Sequence, residues 1–412
     1  MPAKKIVVTG IGAISPLGTS AAESWTALLS GASGARPLEQ EWAAGYELPV
    51  AFAAQSPVRP AELLERVESR RLDPSSQFAL IAGREAWADA GSPEVDPSRL
   101  AVDWATGIGG VWTLLDAWDT LRERGPRRVM PMTVPMLMPN APAAAIGMEL
   151  GARAGLRSVV SACASSTESI INAYEHLQQG LADVIVTGGS EAAIHPLPLA
   201  AFASMQALSK RNEDPARASR PYDVDRDGFV LGEGAAALVL ETEEHAKARG
   251  ARIYAEVLGG SVTSDSYHIT APDPEGSAAA RAMLSTLTNA GLSPADVVHV
   301  NAHATSTPVG DEAEYQAMRR VFGEALEGVI VSATKASTGH LLGGAGAIEA
   351  VFAVKTLQER TVPPTINLEN QDPAIPLQVA TQPTALPEGD AVVLSNSFGF
   401  GGHNAVVAFR SA

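Results

Sequence analysis

Cysteine is almost absent from this sequence, which has one, Cys163, in 412 residues. A single cysteine excludes an intramolecular disulfide framework and any metal site built from several thiolates. It leaves two roles for Cys163, a small buried side chain or a reactive thiol. We therefore expect a protein of a reducing, cytoplasmic compartment.

Long apolar runs and a basic surplus are also missing. Apolar stretches such as 235–240 fall far short of the roughly 18 residues that a membrane span needs. Residues 1–5 lead directly into a strand-like run, so we expect no cleaved signal segment. The net charge of −16 argues against general nucleic-acid binding, because phosphate contacts require a basic surface. The 46% hydrophobic content is enough for a large core in a globular protein.

Strand-like runs alternate with helix-like segments along the whole chain. Several runs are almost entirely apolar, which suits sheets that are covered by helices on both faces. The alternation therefore predicts an α/β fold. The predicted strands are 5–9, 158–162, 183–187, 236–241, 297–301, 329–333 and 391–396.

Two segments 292 residues apart share a local pattern. Segment 7–29 runs from an apolar strand through a tight turn to a helix with an apolar face, and segment 299–322 does the same. The second helix is expected to begin at Asp311 as its capping residue. We interpret the pattern as two related halves, 1–250 and 251–412, which share one compact body.

Cys163 lies between a predicted strand and a helix predicted over 164–179. A thiol at a helix N-terminus meets the positive end of the helix dipole and unpaired N–H groups, which favour the thiolate. The position suits a nucleophile. On this segment alone, a small buried side chain is an equally good interpretation.

Two loops rich in small residues carry candidate imidazoles. His303 lies just past the predicted strand 297–301, and His340 follows Lys335 in a segment that ends in several glycines. A substrate can approach the backbone of such loops. Taken singly, a loop histidine is more often an ordinary surface or core residue, so the interpretation depends on the combination.

The combination resembles a known family. Cys163 in its Ser-Ala-Cys-Ala-Ser-Ser setting, the Asn-Ala-His-Ala-Thr-Ser-Thr-Pro segment around His303, Lys335 with His340, and the glycine-rich segment 396–402 are similar to the Cys-His-His signature of the elongating β-ketoacyl-acyl-carrier-protein synthases. The resemblance extends over nearly the whole chain. It implies an α/β thiolase fold, in which two similar halves form a five-layer αβαβα sandwich, and a homodimer.

The resemblance also implies an acyltransferase activity in fatty acid chain elongation. An acyl group held on Cys163 would condense, with loss of carbon dioxide, with malonyl carried on an acyl carrier protein. Neutral His303 and His340 would bind the malonyl thioester carbonyl, and no redox cofactor is required. The backbone N–H groups of Cys163 and Phe400 would form the oxyanion hole. The other polar residues implied at the site are Lys335, as a catalytic residue, and Asp311 and Glu349, as supports.

Further contacts are implied for the acyl chain, the carrier protein and an ion. Ile108 matches the acyl-pocket position at which the long-chain subtype carries isoleucine. Carrier proteins are strongly acidic as a class, so docking on an acidic enzyme needs a local basic patch. The implied substrate-binding residues are Ile108, Phe202, Thr305, Thr307, Phe398 and Phe400; the docking residues are Arg66, Arg70, Arg71, Arg127 and Arg128; and a structural monovalent cation, Na⁺ or K⁺, would be held by Asn301, Glu349, Ser395 and Asn396.

Most other interpretations fail on single features. A thiolase uses a second cysteine, an initiating synthase pairs cysteine with one histidine and an asparagine, and a silent chain-length factor usually lacks the cysteine. The glycine turn at 10–12 lacks the third glycine of a dinucleotide site, and the acidic run 223–228 lacks the closing glutamate of a calcium loop. The ketosynthase subunit of a type II polyketide synthase shares all the site residues, so that alternative stays open.

Overall fold

Strands and helices alternate through the computed structural model, which describes residues 4–412. Residues 1–3, part of the segment from which we expect no cleaved signal, lie outside the described residues. The strands are β1 (Ile6–Ile14), β2 (Ala35–Pro37), β3 (Phe52–Ala54), β4 (Leu100–Ala105), β5 (Gly155–Val159), β6 (Val184–Glu191), β7 (Gly234–Thr242), β8 (Ala255–Ser264), β9 (Val297–Asn301), β10 (Ile330–Ser332), β11 (Thr361–Val362), β12 (Thr384–Ala385), β13 (Val392–Gly399) and β14 (His403–Ser411). The helices are α1 (Ala21–Leu29), α2 (Glu41–Ala44), α3 (Arg66–Ser69), α4 (Pro74–Asp89), α5 (Val111–Arg124), α6 (Thr133–Leu137), α7 (Ala141–Leu150), α8 (Ser165–Gln178), α9 (Pro196–Ser204), α10 (Glu243–Ala248), α11 (Ser277–Asn289), α12 (Pro308–Phe322), α13 (Lys335–Thr338) and α14 (Ala345–Glu359).

Ten of the strands form one mixed sheet in the order β10-β9-β13-β14-β8-β1-β7-β6-β4-β5. From either edge to the centre, the order is the third, second, fourth, fifth and first large strand of that half. The pattern of parallel and antiparallel pairs is also the same in both halves. The halves meet where β1 pairs with β8. The chain therefore contains two similar five-stranded halves.

Helices form three layers around the two half-sheets. The central helices α8 and α14 contact strands of both halves, α8 through β6 and β8 and α14 through β7 and β13. Helices α4 and α7 cover the outer face of the N-terminal half, while α11 covers that of the C-terminal half with α12 packed on it. This arrangement confirms the predicted α/β fold with two similar halves in five layers.

Burial on both faces explains the composition of the central strands and helices. Every residue of β1 and of β7 is buried, so these strands are apolar over most of their length instead of alternating. Helix α14 is buried around nearly its whole circumference, and its many alanines allow two half-sheets to approach it. Within residues 4–412, no helix is both long and apolar enough to cross a membrane.

The internal repeat predicted from the sequence was aligned wrongly. Segments 7–29 and 299–322 contain β1 and β9, but β1 is the first strand of its half and β9 is the second. The true counterpart of β1 is β8. The error arose because a strand, a tight turn and a capped helix form a local pattern that unrelated units of an α/β chain share.

Asp311 does not cap its helix. Helix α12 begins at Pro308 after Thr307, so Asp311 lies inside the first turn. Its carboxylate accepts N–H bonds from Tyr222 and Ser306 instead, at 3.0 and 3.1 Å. Asp311 therefore fixes the loop that leads into α12.

Most other predicted elements begin close to their observed starts, although β1 and β6 extend four or five residues beyond their predicted ends. The helix predicted over 164–179 is α8 (Ser165–Gln178). The strand predicted over 158–162 ends earlier, because β5 stops at Val159 and the chain then enters the 3₁₀ turn Ala162–Ala164. Strands β4, β8 and β14 of the large sheet are not among the predicted strands, and β8 has polar residues and a glycine pair that weaken its strand signal.

Candidate active site

A cavity of about 720 Å³ lies at the C-terminal ends of strands from both halves and brings distant sequence segments together. It has room for an extended acyl chain and the arm that carries it. Lys335, Asp311 and Glu349 are buried behind its wall. The sequence-predicted residues that line it are Ile108, Cys163, Phe202, His303, Thr305, Thr307, His340, Phe398 and Phe400.

Cys163 occupies the 3₁₀ turn immediately before α8. The preceding residue, Ala162, has a left-handed backbone with φ of 51°, which turns the chain sharply out of the sheet. The segment around Gly399 packs directly on this turn, since a Cβ at that position would lie 2.8 Å from the carbonyl oxygen of Ser161. Backbone N–H groups of Phe400 and of Cys163 itself are directed at the sulfur.

Burial decides the resting state of the thiol. It raises the pKa of Cys163 to about 11, although the positive charge of Lys335 and the N–H groups of Phe400 and Cys163 act in the opposite direction. Our expectation that the helix N-terminus would favour the thiolate was therefore wrong for the resting enzyme. Helix α8 itself begins two residues beyond Cys163, and desolvation outweighs the polar groups.

The rings of His303 and His340 face the same cavity, edge to face. Burial, followed by the charge of Lys335, holds the pKa of each imidazole well below its ordinary value, so both are neutral. Nδ1 of His340 accepts the N–H of Leu342 at 3.2 Å, so its proton is on Nε2. Nδ1 of His303 lies 3.4 Å from the Nζ of Lys335 and has the same role. Both rings can donate from Nε2.

Lys335 and Glu349 form a buried ion pair beside the histidines. Lys335 is 1% exposed, and its Nζ donates to Oε1 of Glu349. Burial raises the pKa of Glu349 to about 7, while the charge of Lys335 opposes that rise. The pair provides a fixed positive group next to His303 without opening the site to water.

Glu314 is a site residue that the sequence interpretation missed. Its carboxylate accepts the backbone N–H groups of His303 and Ala304, at 2.9 and 2.7 Å, and the side-chain amide of Asn396 at 3.0 Å. Glu314 follows Asp311 by three positions, a spacing that instead suggests a capping box. A carboxylate near the start of the helix that follows a loop histidine was the signal that could have identified it.

Comparison with known proteins agrees with this site. Residues 3–246 match the family described as "Beta-ketoacyl synthase, N-terminal domain", and residues 254–369 match "Beta-ketoacyl synthase, C-terminal domain". The chain belongs to the β-ketoacyl synthase family. Both matches together span most of the sequence, including Cys163, His303 and His340.

Curated relatives and solved structures of β-ketoacyl synthases align over the whole chain. The 3-oxoacyl-[acyl-carrier-protein] synthase 2 of Mycobacterium tuberculosis is 45% identical over 98% of this chain and 96% of its own. That of Synechocystis sp. is 44% identical over 99% and 98%. A β-ketoacyl synthase from Burkholderia phymatum has a TM-score of 0.89 at 37% identity over 99% and 100% of the chains. A ketosynthase described as bound to its type II polyketide acyl-carrier protein has a TM-score of 0.91 at 31% identity over 100% of both.

Aromatic rings form one wall of the β-ketoacyl synthase cavity. Phe229, which the sequence interpretation missed, lies between Phe202 and His340, with ring centroids 5.4 and 5.3 Å away. Phe398 contacts His303 at 5.7 Å. Edge contacts of this kind hold the imidazoles in place and leave their Nε2 atoms free.

Side chains predicted to hold a cation form a buried polar cluster between β9, β13 and α14. Strand pairing places Ser395 beside Asn301, and all four side chains are buried. Buried polar atoms normally have partners. Among residues 4–412, four oxygens of this cluster have none: Oδ1 of Asn301, Oε2 of Glu349, Oγ of Ser395 and Oδ1 of Asn396. Oxygen donors of this kind fit a hard cation.

The predicted docking arginines lie on the surface of this synthase. Arg66 begins α3, and Arg70 and Arg71 follow it, while Arg127 and Arg128 lie in the 3₁₀ turn after α5. All five are exposed, and none forms an ion pair with a residue of the described chain. They do not line the cavity. Their positive charges are therefore available to a partner.

Proposed function

We propose that this protein is a 3-oxoacyl-acyl-carrier-protein synthase that condenses a Cys163-bound acyl group with malonyl carried on an acyl carrier protein. One observation carries the proposal. Two neutral imidazoles, His303 and His340, can each donate from Nε2 into the cavity that holds the only thiol of the chain. Curated relatives named 3-oxoacyl-[acyl-carrier-protein] synthase 2 support this assignment.

The first half-reaction transfers the acyl group. The sulfur of Cys163 attacks the carbonyl of the acyl-carrier thioester and loses its proton, and the carrier leaves as a thiol. Negative charge develops on the carbonyl oxygen in the tetrahedral intermediate. The N–H groups of Cys163 and Phe400 stabilise that charge, and because they are fixed by the backbone they need no rearrangement.

The second half-reaction forms the carbon–carbon bond. Malonyl-carrier protein replaces the first carrier, and its thioester carbonyl accepts the Nε2–H bonds of His303 and His340. Loss of carbon dioxide leaves an enolate, whose negative oxygen these donors stabilise. The enolate carbon then attacks the acyl-cysteine, expels the sulfur and gives 3-oxoacyl-carrier protein. Lys335 holds the tautomer of His303 through Nδ1.

Reconstitution tests this function directly. The purified protein is incubated with an acyl-carrier protein and malonyl-carrier protein, and intact-protein mass spectrometry follows both carriers. We expect a 3-oxoacyl product two carbons longer than the acyl donor and an acyl adduct on Cys163. The variant Cys163→Ala serves as the control. Absence of product under conditions in which a curated relative is active would contradict the proposal.

Docking of the carrier protein is proposed at the exposed arginines. The solved ketosynthase complex with an acyl-carrier protein supports a partner of this class. Thr305 and Thr307, whose hydroxyls are 3.0 Å apart at the cavity wall, are proposed to bind the carrier's arm. The expected cytoplasmic location stays a prediction.

A homodimer is proposed through the edge strand β5 and helix α5. Along α5, Leu114, Trp118 and Leu121 form an exposed apolar stripe, with Trp118 55% exposed. Strand β5 has a free edge in the described sheet and exposes Leu156. Light scattering should give twice the mass of the chain, and Trp118→Glu should reduce it to one chain. A monomeric unmutated protein would contradict this interface.

The ketosynthase subunit of a type II polyketide synthase is the second candidate. Its support is the structural likeness to the carrier-bound ketosynthase and to a ketosynthase/chain length factor pair, with TM-scores of 0.91 and 0.90. Malonyl-carrier protein supplied with one acyl primer separates the two. A fatty-acid enzyme stops after one elongation, because nothing in the reaction reduces the 3-oxoacyl product. A polyketide subunit adds further malonyl-derived units to the unreduced product, but only when its partner chain is present.

A monovalent cation is proposed at Asn301, Glu349, Ser395 and Asn396. The unpartnered oxygens of these residues support it. A bound cation would provide a partner for Oε2 of Glu349, whose other oxygen accepts from Lys335, and would fix the neighbouring amides. We expect a higher melting temperature in potassium or sodium chloride than in tetramethylammonium chloride of equal ionic strength. Equal melting temperatures would contradict the site.

A further inference from the structure

Glu191 ends strand β6 beneath the cavity, and its carboxylate joins two loops of the site. It is fully buried. From the first loop it accepts the hydroxyl of Thr106 at 3.0 Å and the N–H groups of Gly107 and Ile108 at 2.7 and 3.3 Å. From the second loop it accepts the N–H of Gly343 at 3.0 Å. The carboxylate therefore has four donors from two segments that are far apart in sequence.

The two loops pack backbone to backbone around this carboxylate. A Cβ at Gly343 would lie 2.0 Å from the backbone nitrogen of Gly107, and one at Gly107 would lie 2.6 Å from Oε2 of Glu191. Neither position leaves room for a side chain. A shift of either loop must therefore move the other or break its bond to Glu191.

Each loop carries a residue of the proposed reaction. The first carries Ile108, which lines the cavity where the acyl chain would lie. In the second, the N–H of Leu342 sets the tautomer of His340, and Leu342 is bonded directly to Gly343, which Glu191 holds. The charge of Glu191 also acts on Cys163, whose pKa it raises.

We propose that Glu191 is a positioning residue that couples the acyl-pocket wall at Ile108 to the orientation of His340. This inference rests on the proposed function. A long acyl chain that presses on Ile108 would act through Glu191 and Gly343 on the ring that must donate to the malonyl carbonyl. The carboxylate thus makes the second half-reaction depend on how the pocket is filled.

Kinetics of Glu191→Gln test the coupling. The amide places a donor against backbone N–H groups, so one loop loses its bond. We expect the condensation kcat to fall by about tenfold or more, because small displacements of a catalytic group have effects of this size. The fall should be greater for a long acyl donor than for a short one, while acylation of Cys163 by the short donor stays within about twofold.

Glu85→Gln is the matched control. Glu85 is a partly buried carboxylate that likewise accepts backbone N–H groups, those of Ala13 and Ala21 on β1 and α1, away from the cavity. It should change stability without changing the ratio of long-chain to short-chain rates. The same ratio in Glu191→Gln as in Glu85→Gln would overturn the inference. Failure of the unmutated enzyme to condense would instead overturn the proposed function.

A milder variant and a spectroscopic measurement keep the coupling testable if Glu191→Gln does not fold. Thr106→Val removes one donor to the carboxylate and should give a smaller change of the same sign. Nitrogen-15 NMR of histidine-labelled protein reports the tautomer of His340. We expect the Nε2–H form alone in the unmutated protein and a mixture in Glu191→Gln. An unchanged tautomer in both variants would exclude the coupling.

Discussion

The imidazole rings of His303 and His340 stand 5.5 Å apart, centroid to centroid, at an interplanar angle of 83°. They come from loops of the C-terminal half that are separated by α12, β10 and α13, yet the same lysine depresses the pKa of both. Each ring uses Nδ1 as an acceptor. The pair is therefore arranged as two neutral donors, with no proton to exchange between them.

His303→Ala should lose most malonyl decarboxylation. One of two donors to the enolate would be missing, which costs roughly 3 kcal/mol, or about a hundredfold in rate, by analogy with the deletion of an oxyanion-hole donor. The rate of decarboxylation is measured as carbon dioxide release from malonyl-carrier protein. His195→Ala, a histidine that does not line the cavity, is the control. Unchanged release from His303→Ala would remove this residue from the mechanism.

Cys163→Gln should abolish condensation and leave malonyl decarboxylation intact or faster. The amide of glutamine can imitate the acyl-cysteine, while both histidines persist. Elongation product and carbon dioxide are measured in one reaction. A variant that still elongates acyl chains would show that Cys163 is not the nucleophile.

Alkylation of Cys163 should depend steeply on pH. Because burial raises the pKa of the thiol to about 11, only a small thiolate fraction exists at neutral pH, and it grows as pH rises. The rate constant for iodoacetamide should rise about tenfold per unit from about pH 7 to about pH 9, whereas a free thiol with a pKa of about 8.5 begins to level off there. The chain unfolded in urea supplies that reference curve, since it has no other cysteine. A plateau in the folded enzyme below about pH 8 would contradict the raised pKa.

Ile108→Phe should shorten the longest acyl chain that the enzyme accepts. Added bulk in a packed pocket costs about 1 to 3 kcal/mol, and only chains that reach Ile108 encounter it. Acylation rates for donors of several lengths give the profile. Ile108→Ala should shift the profile toward longer chains. An unaltered profile in both variants would place Ile108 outside the acyl path.

Charge reversal at Arg127 and Arg128 should raise the KM for malonyl-carrier protein on the order of tenfold and flatten its salt dependence, because exposed charges act mainly on association. Acylation by a small thioester without the protein portion should change little. Arg319→Glu, an exposed arginine at the end of α12, is the control. An equal loss with both substrates would mean damage to the fold, and the docking assignment would fail.

Sequence patterns predicted the fold well where burial alone determines the element. The buried strands β7, β9 and β13 were predicted close to their observed bounds, since strands covered on both faces are continuously apolar. Strand β8 was missed, because it lies where the halves meet and has several partly exposed residues. The false repeat had a related cause, since local patterns do not contain the position of a strand in its sheet.

Sequence motifs identified only some of the site residues. Cys163, His303, His340 and Lys335 were identified through the resemblance, and the structure brings them together. Glu314 lies outside these motifs, although it accepts the backbone N–H of Ala304, only ten residues before it in the sequence. Glu191 accepts backbone N–H groups from two loops distant in sequence, and such bonds follow from tertiary packing and leave no spacing in the sequence. The raised pKa of Cys163 was missed for the same reason.

The 3₁₀ turn that holds Cys163 has a counterpart in the other half. Turns Ala162–Ala164 and Leu342–Gly344 each precede a central helix, and each contains a left-handed residue, Ala162 with φ of 51° and Leu342 with φ of 46°. The first turn directs the N–H of Cys163 at a sulfur whose negative charge is transient, and the second directs the N–H of Gly343 at the carboxylate of Glu191. Corresponding turns of the two halves therefore each direct one backbone N–H at an anionic atom. The anion at the first turn forms during the reaction and is lost again in each turnover, whereas the anion at the second turn is a side chain of the protein and stays in place.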